Sequence, residues 1–152
     1  MVASRTVEGS VAPGLGRADL QFRLDQMSVD ETALRADAGF NTQPSADAIA
    51  GTRHNMLSKV LDADRYPVVA IAVRGKADDG DQALQVTITL HGVSRTQAVP
   101  VRIVHAGKTL TASGATTIKQ TDFGLVPFSV MGGAMAVEDQ LDLQFSVVAS
   151  AP

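Results

Sequence analysis

Between Ala18 and Asp25 apolar and polar residues take turns, with Ala18, Leu20, Phe22 and Leu24 on one parity and Asp19, Gln21, Arg23 and Asp25 on the other. A strand sends successive side chains to opposite faces, so this segment reads as a strand with one dry and one wet face. A shorter candidate strand over about Thr6 to Val11 precedes it, and Pro13, Gly14 and Gly16 between the two read as a turn. Together they predict a hairpin near the start. From Asp30 to Pro67 the alternation stops, and Ile49, Arg53, Met56, Leu57, Val60 and Leu61 recur at spacings of three and four, as one face of a helix does. Ser45 is a natural N-cap, and Pro67 drives the residue before it out of the helical region. One helix is therefore predicted, over about 46–61.

The period of two returns after Pro67, first at Val69, Ile71 and Val73, then at Leu84, Val86, Ile88 and Leu90, with a break over 78–81 between them. His91-Gly92-Val93-Ser94-Arg95 turns the chain into Val99, Val101 and Ile103, and Ala106-Gly107-Lys108 turns it into Leu110, Ala112, Gly114, Thr116 and Ile118. A last alternating run is Leu141, Leu143, Phe145 and Val147. Strands in series with short turns make an antiparallel meander, and half-dry strands must bury their dry faces by sandwiching or by closing on themselves. The expectation is an all-β chain, an up-and-down antiparallel barrel of seven to eight strands with one short helix segment before the central strands. Phe123 to Met135 has no clean period and is too apolar for a bare loop, so it is expected to plug or lid something.

Composition narrows what such a barrel can do. The chain has 152 residues, 45% hydrophobic and 19% charged, enough for one domain with a real core. Only 4% are aromatic, the formal net charge is −3 and the basic residues are scattered, so neither stacking on bases nor a basic patch for phosphates or anionic bilayers is available. There is no Cys, hence no disulfide, thiolate ligand or cysteine nucleophile. The first residues carry no apolar core of a secretory signal, and no stretch is long and apolar enough to span a bilayer, which reads as a soluble chain or the mature form of an exported one.

The candidate chemistry is thin. His54 has Ser58 rather than a ligand four residues on, His91 lies at a turn and His105 ends a strand, so no metal set and no acid–base pair is predicted. There is no Gly-x-Ser-x-Gly elbow and no strand-to-helix glycine loop for phosphate. No catalytic residue and no cofactor is therefore assigned. Arg53, His54, Asn55 and Met56 either offer a cation to a ligand head group or form a wet helix face, and Asp122 is expected to accept hydrogen bonds from neighbouring turn N–H groups. Many inward positions are slim, among them Ala18, Val69, Val73, Val86, Val99, Ala112, Gly114 and Thr116. A barrel of about eight strands has room to fill with side chains or to hold one small ligand.

Four segments carry a resemblance. Ile88-Thr89-Leu90-His91-Gly92-Val93-Ser94-Arg95 resembles the "LTLHGVTR" segment of the YceI-like family of polyisoprenoid-binding proteins. Leu61-Asp62-Ala63-Asp64-Arg65-Tyr66-Pro67 is similar to its "FLDAEKYP" stretch, Thr121-Asp122-Phe123-Gly124 to its "DFG" stretch, and Val137 to Leu143 to its closing strand. The match runs from about Arg17 to Ser150. It implies a lipocalin-like barrel, export to the bacterial periplasm and an apolar interior that takes up an isoprenoid tail. Family chains usually begin with a strand ahead of the one holding Gly9, so the resemblance also implies a single YceI-like domain over 1–152 that lacks its first strand or has been trimmed. The expected cavity lining is Phe22, Leu24, Ile71, Ile88, Leu90, Ile103, Ile118, Phe123, Phe128, Met131, Met135 and Phe145. The same residues can instead fill one another's space as a dry core. Two functions stay open: a non-catalytic carrier of an isoprenoid-tailed lipid without stable membrane insertion, or a filled-core interaction module, as a homodimer through an open seam.

Overall fold

The structure, a computed structural model, describes residues 1–151. It opens with β1 (Val2–Ala3), β2 (Glu8–Ala12), β3 (Arg17–Arg23) and β4 (Ser28–Val29), followed by α1 (Thr32–Asp37) and α2 (Ala46–His54). Four strands then run in series, β5 (Val68–Arg74), β6 (Gly80–Leu90), β7 (Val93–Ala106) and β8 (Thr109–Lys119). A small hairpin of β9 (Ser129–Val130) and β10 (Met135–Ala136) leads into β11 (Gln140–Ser150). One seven-stranded antiparallel sheet, ordered β11-β8-β7-β6-β5-β3-β2, curls into a half-barrel. Each long strand lies beside the next one in sequence, which is the predicted up-and-down order.

The register explains why the alternating residues share a face. Opposed pairs such as Leu20↔Ile71, Ile71↔Ile88, Leu84↔Val99, Val101↔Gly114 and Phe145↔Gly114 all point to the concave side. The polar parity points outward, where Thr87 and Thr96, then Thr89 and Ser94, share hydroxyl hydrogen bonds of 2.7 Å across the strands. Between β6 and β7 the loop is two residues, His91 and Gly92, with φ of 55° and 72°. Positive φ at both positions is the type I′ hairpin turn, whose twist matches the strands it joins.

The sheet does not close. No pairing joins β2 to β11 among the described residues, and β2 offers five residues against the eleven of β11. A second break lies inside the sheet. β7 and β8 are paired from Val101↔Gly114 to Ala106↔Thr109 and not beyond, although both strands continue. The carbonyl of Pro100 faces Gly114, so the edge it turns to β8 is the one where a ladder needs the N–H that proline lacks. The Gln97 side chain bridges the parted strands, donating to Thr116 Oγ1 at 2.8 Å and to the Thr117 carbonyl at 3.1 Å.

The helical part departs from expectation in two ways. The span predicted as one helix is α2 continued by a π-helical stretch over Asn55–Val60. The Ser58 hydroxyl donates to the His54 carbonyl at 2.6 Å, and the Leu61 N–H reaches back five residues to the Met56 carbonyl at 2.9 Å. A side chain competing for a helical carbonyl widens the turn in this way. Ser45 is the N-cap, accepting from the Ala48 N–H at 3.1 Å. The six-residue α1 was too short to show a period and is anchored by Arg35, which pairs with Asp30 at 3.1 Å and lies over the Phe40 ring. Leu24, counted with β3 in the sequence, begins a single 3-10 turn instead and is buried in the core.

Gly114 makes a test of the curl. A Cβ there would come within 2.4 Å of the Pro100 carbonyl and 2.8 Å of the Phe145 ring, so the strands can approach only if this position is bare. Gly114→Ala is expected to destabilise the fold by about 2 kcal/mol, read as a lowered urea midpoint.

Candidate functional site

The concave face is packed in the middle and half-open at its edges. On β6, β7 and β8, Leu84, Val86, Ile88, Leu90, Val99, Val101, Ile103, Leu110 and Ile118 are buried. Leu57, Val60 and Leu61 of the π-helical stretch and its end pack over this core, and so do Phe123 and Leu125. Toward the two edges, Phe22, Ile71 and Val73 on β3 and β5, and Leu141, Leu143 and Phe145 on β11, are only partly covered. Two partly exposed apolar rows thus border the unclosed seam.

Ten of the twelve residues expected to line a cavity are at least partly buried. Leu24, Ile88, Leu90, Ile103, Ile118 and Phe123 belong to the buried cluster, and Phe22, Ile71 and Phe145 pack against it. Phe128 is half-buried beneath the Lys59 ammonium, 6.0 Å from its ring centre. Met131 and Met135 are elsewhere: they are 77% and 60% exposed, on the β9–β10 hairpin. Phe123 to Met135 therefore divides, its first part plugging the core as expected and its second part standing free of it.

One residue of the face went unnoticed in the sequence. The register sets Arg95 opposite Ile88, on the concave parity, where its guanidinium donates to the Ser94 carbonyl at 3.1 Å. The signal was present as a break in alternation, since Val93, Arg95, Gln97 and Val99 share one parity. Arg53, considered for a head group, donates instead to the Asp25 carbonyl and ties the helix to the turn after β3.

One end of the half-barrel is closed by a chain of contacts among the four segments that carry the resemblance. The Tyr66 ring packs edge-on against His91 at 4.7 Å and occupies the space that Gly92 leaves beside it. Gly124 borders Val93, and Phe123 beside it is 1% exposed. The turn Gln120–Phe123 is capped by Asp139 and not, as expected, by Asp122: the Thr121 N–H and hydroxyl donate to the Asp139 carboxylate at 2.8 and 2.7 Å. The buried Gln120 side chain adds a bond to the Glu138 carbonyl at 2.9 Å. The four motifs are thus a structural corner that seats the plug.

The remaining polar groups are dispersed. His105 Nδ1 lies 2.5 Å from Asp79, which pins the β5–β6 loop to β7, and His54 lies beside Ser58. No three His, Asp or Glu side chains converge on a metal position among the described residues. Two open depressions, of about 450 and 440 Å³, lie off the concave face. The larger is on the convex side, with Ala70 and Ala72 between polar walls that include Asp19, Gln21, Thr87 and Thr89. No helix among the described residues is long and apolar enough to cross a membrane.

A curled antiparallel meander with a polar outside, an apolar inside and a helix over one end defines a half-barrel fold. The chain belongs to the YceI-like family, whose domain model matches residues 1–149. Solved structures share the fold at low identity. A polyisoprenoid-binding domain from Saccharophagus degradans, implicated in plant cell wall breakdown, has a TM-score of 0.69 at 15% identity, covering 99% of this chain and 85% of that one. The YCEI protein of Campylobacter jejuni has a TM-score of 0.67 at 15% identity over 100% of this chain and 85% of its own. BcnA of Burkholderia cenocepacia has 0.67 at 18%, over 95% and 83%. No curated protein matches the chain in sequence.

The Asp139 cap makes the plug pH-sensitive in a definite direction. Hydrogen bonds from the Thr121 hydroxyl, and then from its N–H, hold the Asp139 carboxyl below the ordinary carboxylate range. A lowered folded pKa stabilises above the unfolded value of about 3.9, and that contribution is lost as pH falls through the folded pKa. Asp139→Asn is expected to start from a lower urea midpoint at neutral pH and to show a shallower loss on acidification below about pH 4 than the unaltered protein.

Proposed function

We propose that this protein is a non-catalytic carrier that shelters the tail of an isoprenoid lipid, of the polyprenyl or quinone type, against the concave face. The observation that carries the reading is the pair of partly covered apolar rows, Phe22, Ile71 and Val73 on one side and Leu141, Leu143 and Phe145 on the other, along a seam that the sheet leaves open. An all-carbon tail laid there removes these rows and itself from water together. Each buried methylene contributes about 0.8 kcal/mol, so a few isoprene units bind usefully without any charged contact. Arg95 gives the face one guanidinium, suited to a polar or anionic head group. The name of the S. degradans relative, a polyisoprenoid-binding domain, supports the same ligand class. Export to the periplasm fits a carrier that crosses water between membranes, and rests on the family resemblance.

A second reading has an observation of its own. β11 is an eleven-residue edge strand whose register with β8 is unbroken from Gln140 to Ser150, and its only charge is Asp142. Long flat edges invite pairing with another strand. A second copy seated along β11 would cover the same apolar row without any lipid.

Native mass spectrometry of the purified protein, with and without added ubiquinone-like or polyprenyl lipid, separates the two. A one-to-one adduct that yields an isoprenoid on organic extraction is the expected result. An unliganded dimer that takes up no lipid would move the assignment to the interaction module. Leu143→Gln, at a partly covered position on the edge strand, is expected to weaken uptake about tenfold while leaving the protein folded.

A further inference from the structure

The hairpin after the plug is a built element whose outward side is apolar. Val130 pairs with Met135, Ser129 pairs with Ala136, and the Val137 N–H donates to the Phe128 carbonyl at 2.8 Å. Phe123 and Leu125 root it in the core at 1% and 3% exposure. Its exposed residues are Val126 at 79%, Val130 at 41%, Met131 at 77%, Met135 at 60% and Val137 at 51%. No charged residue occurs between Asp122 and Glu138. At the turn, Met131 holds a φ of 55°, followed by Gly132 at 65° and Gly133 at 92°. A left-handed conformation is costly for a methionine and ordinary for glycine or asparagine. Positive φ at Met131 and Gly132 is hairpin-turn geometry like that of His91 and Gly92, and what neither core packing nor solubility accounts for is an apolar side chain placed at such a turn in water.

We propose that this hairpin is a membrane-docking tip, and that Val126, Met131 and Met135 enter the interfacial layer of a bilayer from which the carrier takes, or to which it returns, its lipid. The occupant follows from the chemistry of the tip. Its large exposed side chains are all apolar, and its unbranched methionines adapt to a fluid surface without a fixed counter-surface. Apart from Ser129 it has no polar side chain with which a protein partner could set a register. Lys59 over the Phe128 ring marks the base of the hairpin, at the level where a snorkelling cation meets head groups. Asp122 and Glu138 bracket the segment and the chain carries a net charge of −3, so docking runs on apolar insertion and needs no anionic lipid. The hairpin springs from the plug, and the Lys59 contact with Phe128 sets its base beside the helical segment. The proposal rests on the carrier reading for its purpose, while docking itself is measured without it.

The test is flotation of the full chain with phosphatidylcholine vesicles in low and in high salt, beside the double variant Met131→Asn, Met135→Ser. Asparagine suits the left-handed position, so the variant should keep the urea midpoint and circular dichroism spectrum of the parent. The expected result is vesicle binding that survives high salt and falls about tenfold or more in the double variant. Absence of binding by the unaltered protein, or equal binding by the variant, overturns the proposal. So does a variant that changes only the solution mass, which would make the tip a contact between copies. Uptake of a ubiquinone-like lipid from detergent micelles, measured in parallel, keeps the two readings apart. Uptake without vesicle binding removes the tip and leaves the carrier; vesicle binding without uptake removes the carrier.

Discussion

The half-barrel depends on keeping water out of one end of a concave apolar face, and Phe123, 1% exposed, is the most deeply buried side chain of the plug that covers it. An open curled sheet has no closing ladder to hold its ends together, so the face must be capped by chain that comes from elsewhere. Phe123 is delivered by a four-residue 3-10 turn that has little stability of its own. The turn is held from outside: by the Asp139 carboxylate on Thr121, by the bond from the Gln120 N–H to the Asp139 carbonyl at 2.9 Å, and by Gln120 reaching the Glu138 carbonyl. Those partners stand immediately before β11, so the last strand of the sheet and the plug are fixed by the same few residues. The β6–β7 hairpin completes the corner, because Tyr66 rests on His91 and over Gly92 while Val93 meets Gly124.

That arrangement divides the concave face by rigidity. Its centre, on β6 and β7, is covered by helix and plug and packs as a core does. Its flanks are joined to the centre through weaker seams. β8 parts from β7 at Pro100 and is tied across the gap by one glutamine, and β11 is attached only to β8. The row of Leu141, Leu143 and Phe145 is therefore joined to the centre through a ladder that covers only part of β7 and β8.

Much of this was legible in the residues, and the rest was hidden for identifiable reasons. Period-two alternation marks six of the seven sheet strands, β7 only in its second half, because a sheet wet on one side writes its faces into the sequence. Ser45 announced the start of the helix and Pro67 the limit beyond which it could not run. The π-helical stretch was invisible, since Ser58 reads as an ordinary polar position until its hydroxyl is seen on the His54 carbonyl. Closure of the barrel could not be read at all: it is decided by β2 and β11, which are far apart in the chain and differ in length. The apolar run after Phe123 reads as one cover in the sequence because composition does not say which of its residues point inward. Backbone geometry does, with Gly124 at φ 70° and Met131 at 55° turning the chain away from the core after Leu125. Arg95 is hidden because two polar residues, Arg95 and Gln97, interrupt the apolar parity at the start of β7 and read as part of the turn until the register sets them on the concave face.

The placement of the motifs bears on what the resemblance can mean. The segments that resemble the family, from Leu61 to Pro67, Ile88 to Arg95, Thr121 to Gly124 and Val137 to Leu143, meet one another at the closed end. Their side chains cap turns, fill a corner and seat the plug. The partly covered apolar rows lie mostly outside them, at Phe22, Ile71, Val73 and Phe145, with only Leu141 and Leu143 shared. A match to these motifs therefore reports that the chain can build the half-barrel and close its end. On the carrier reading proposed above, a tail would meet mostly side chains that the motifs do not contain, with Leu141, Leu143 and Arg95 as the shared positions. On that reading two proteins that share all four motifs can hold different tails, and ligand choice is to be sought along the rows beside the seam.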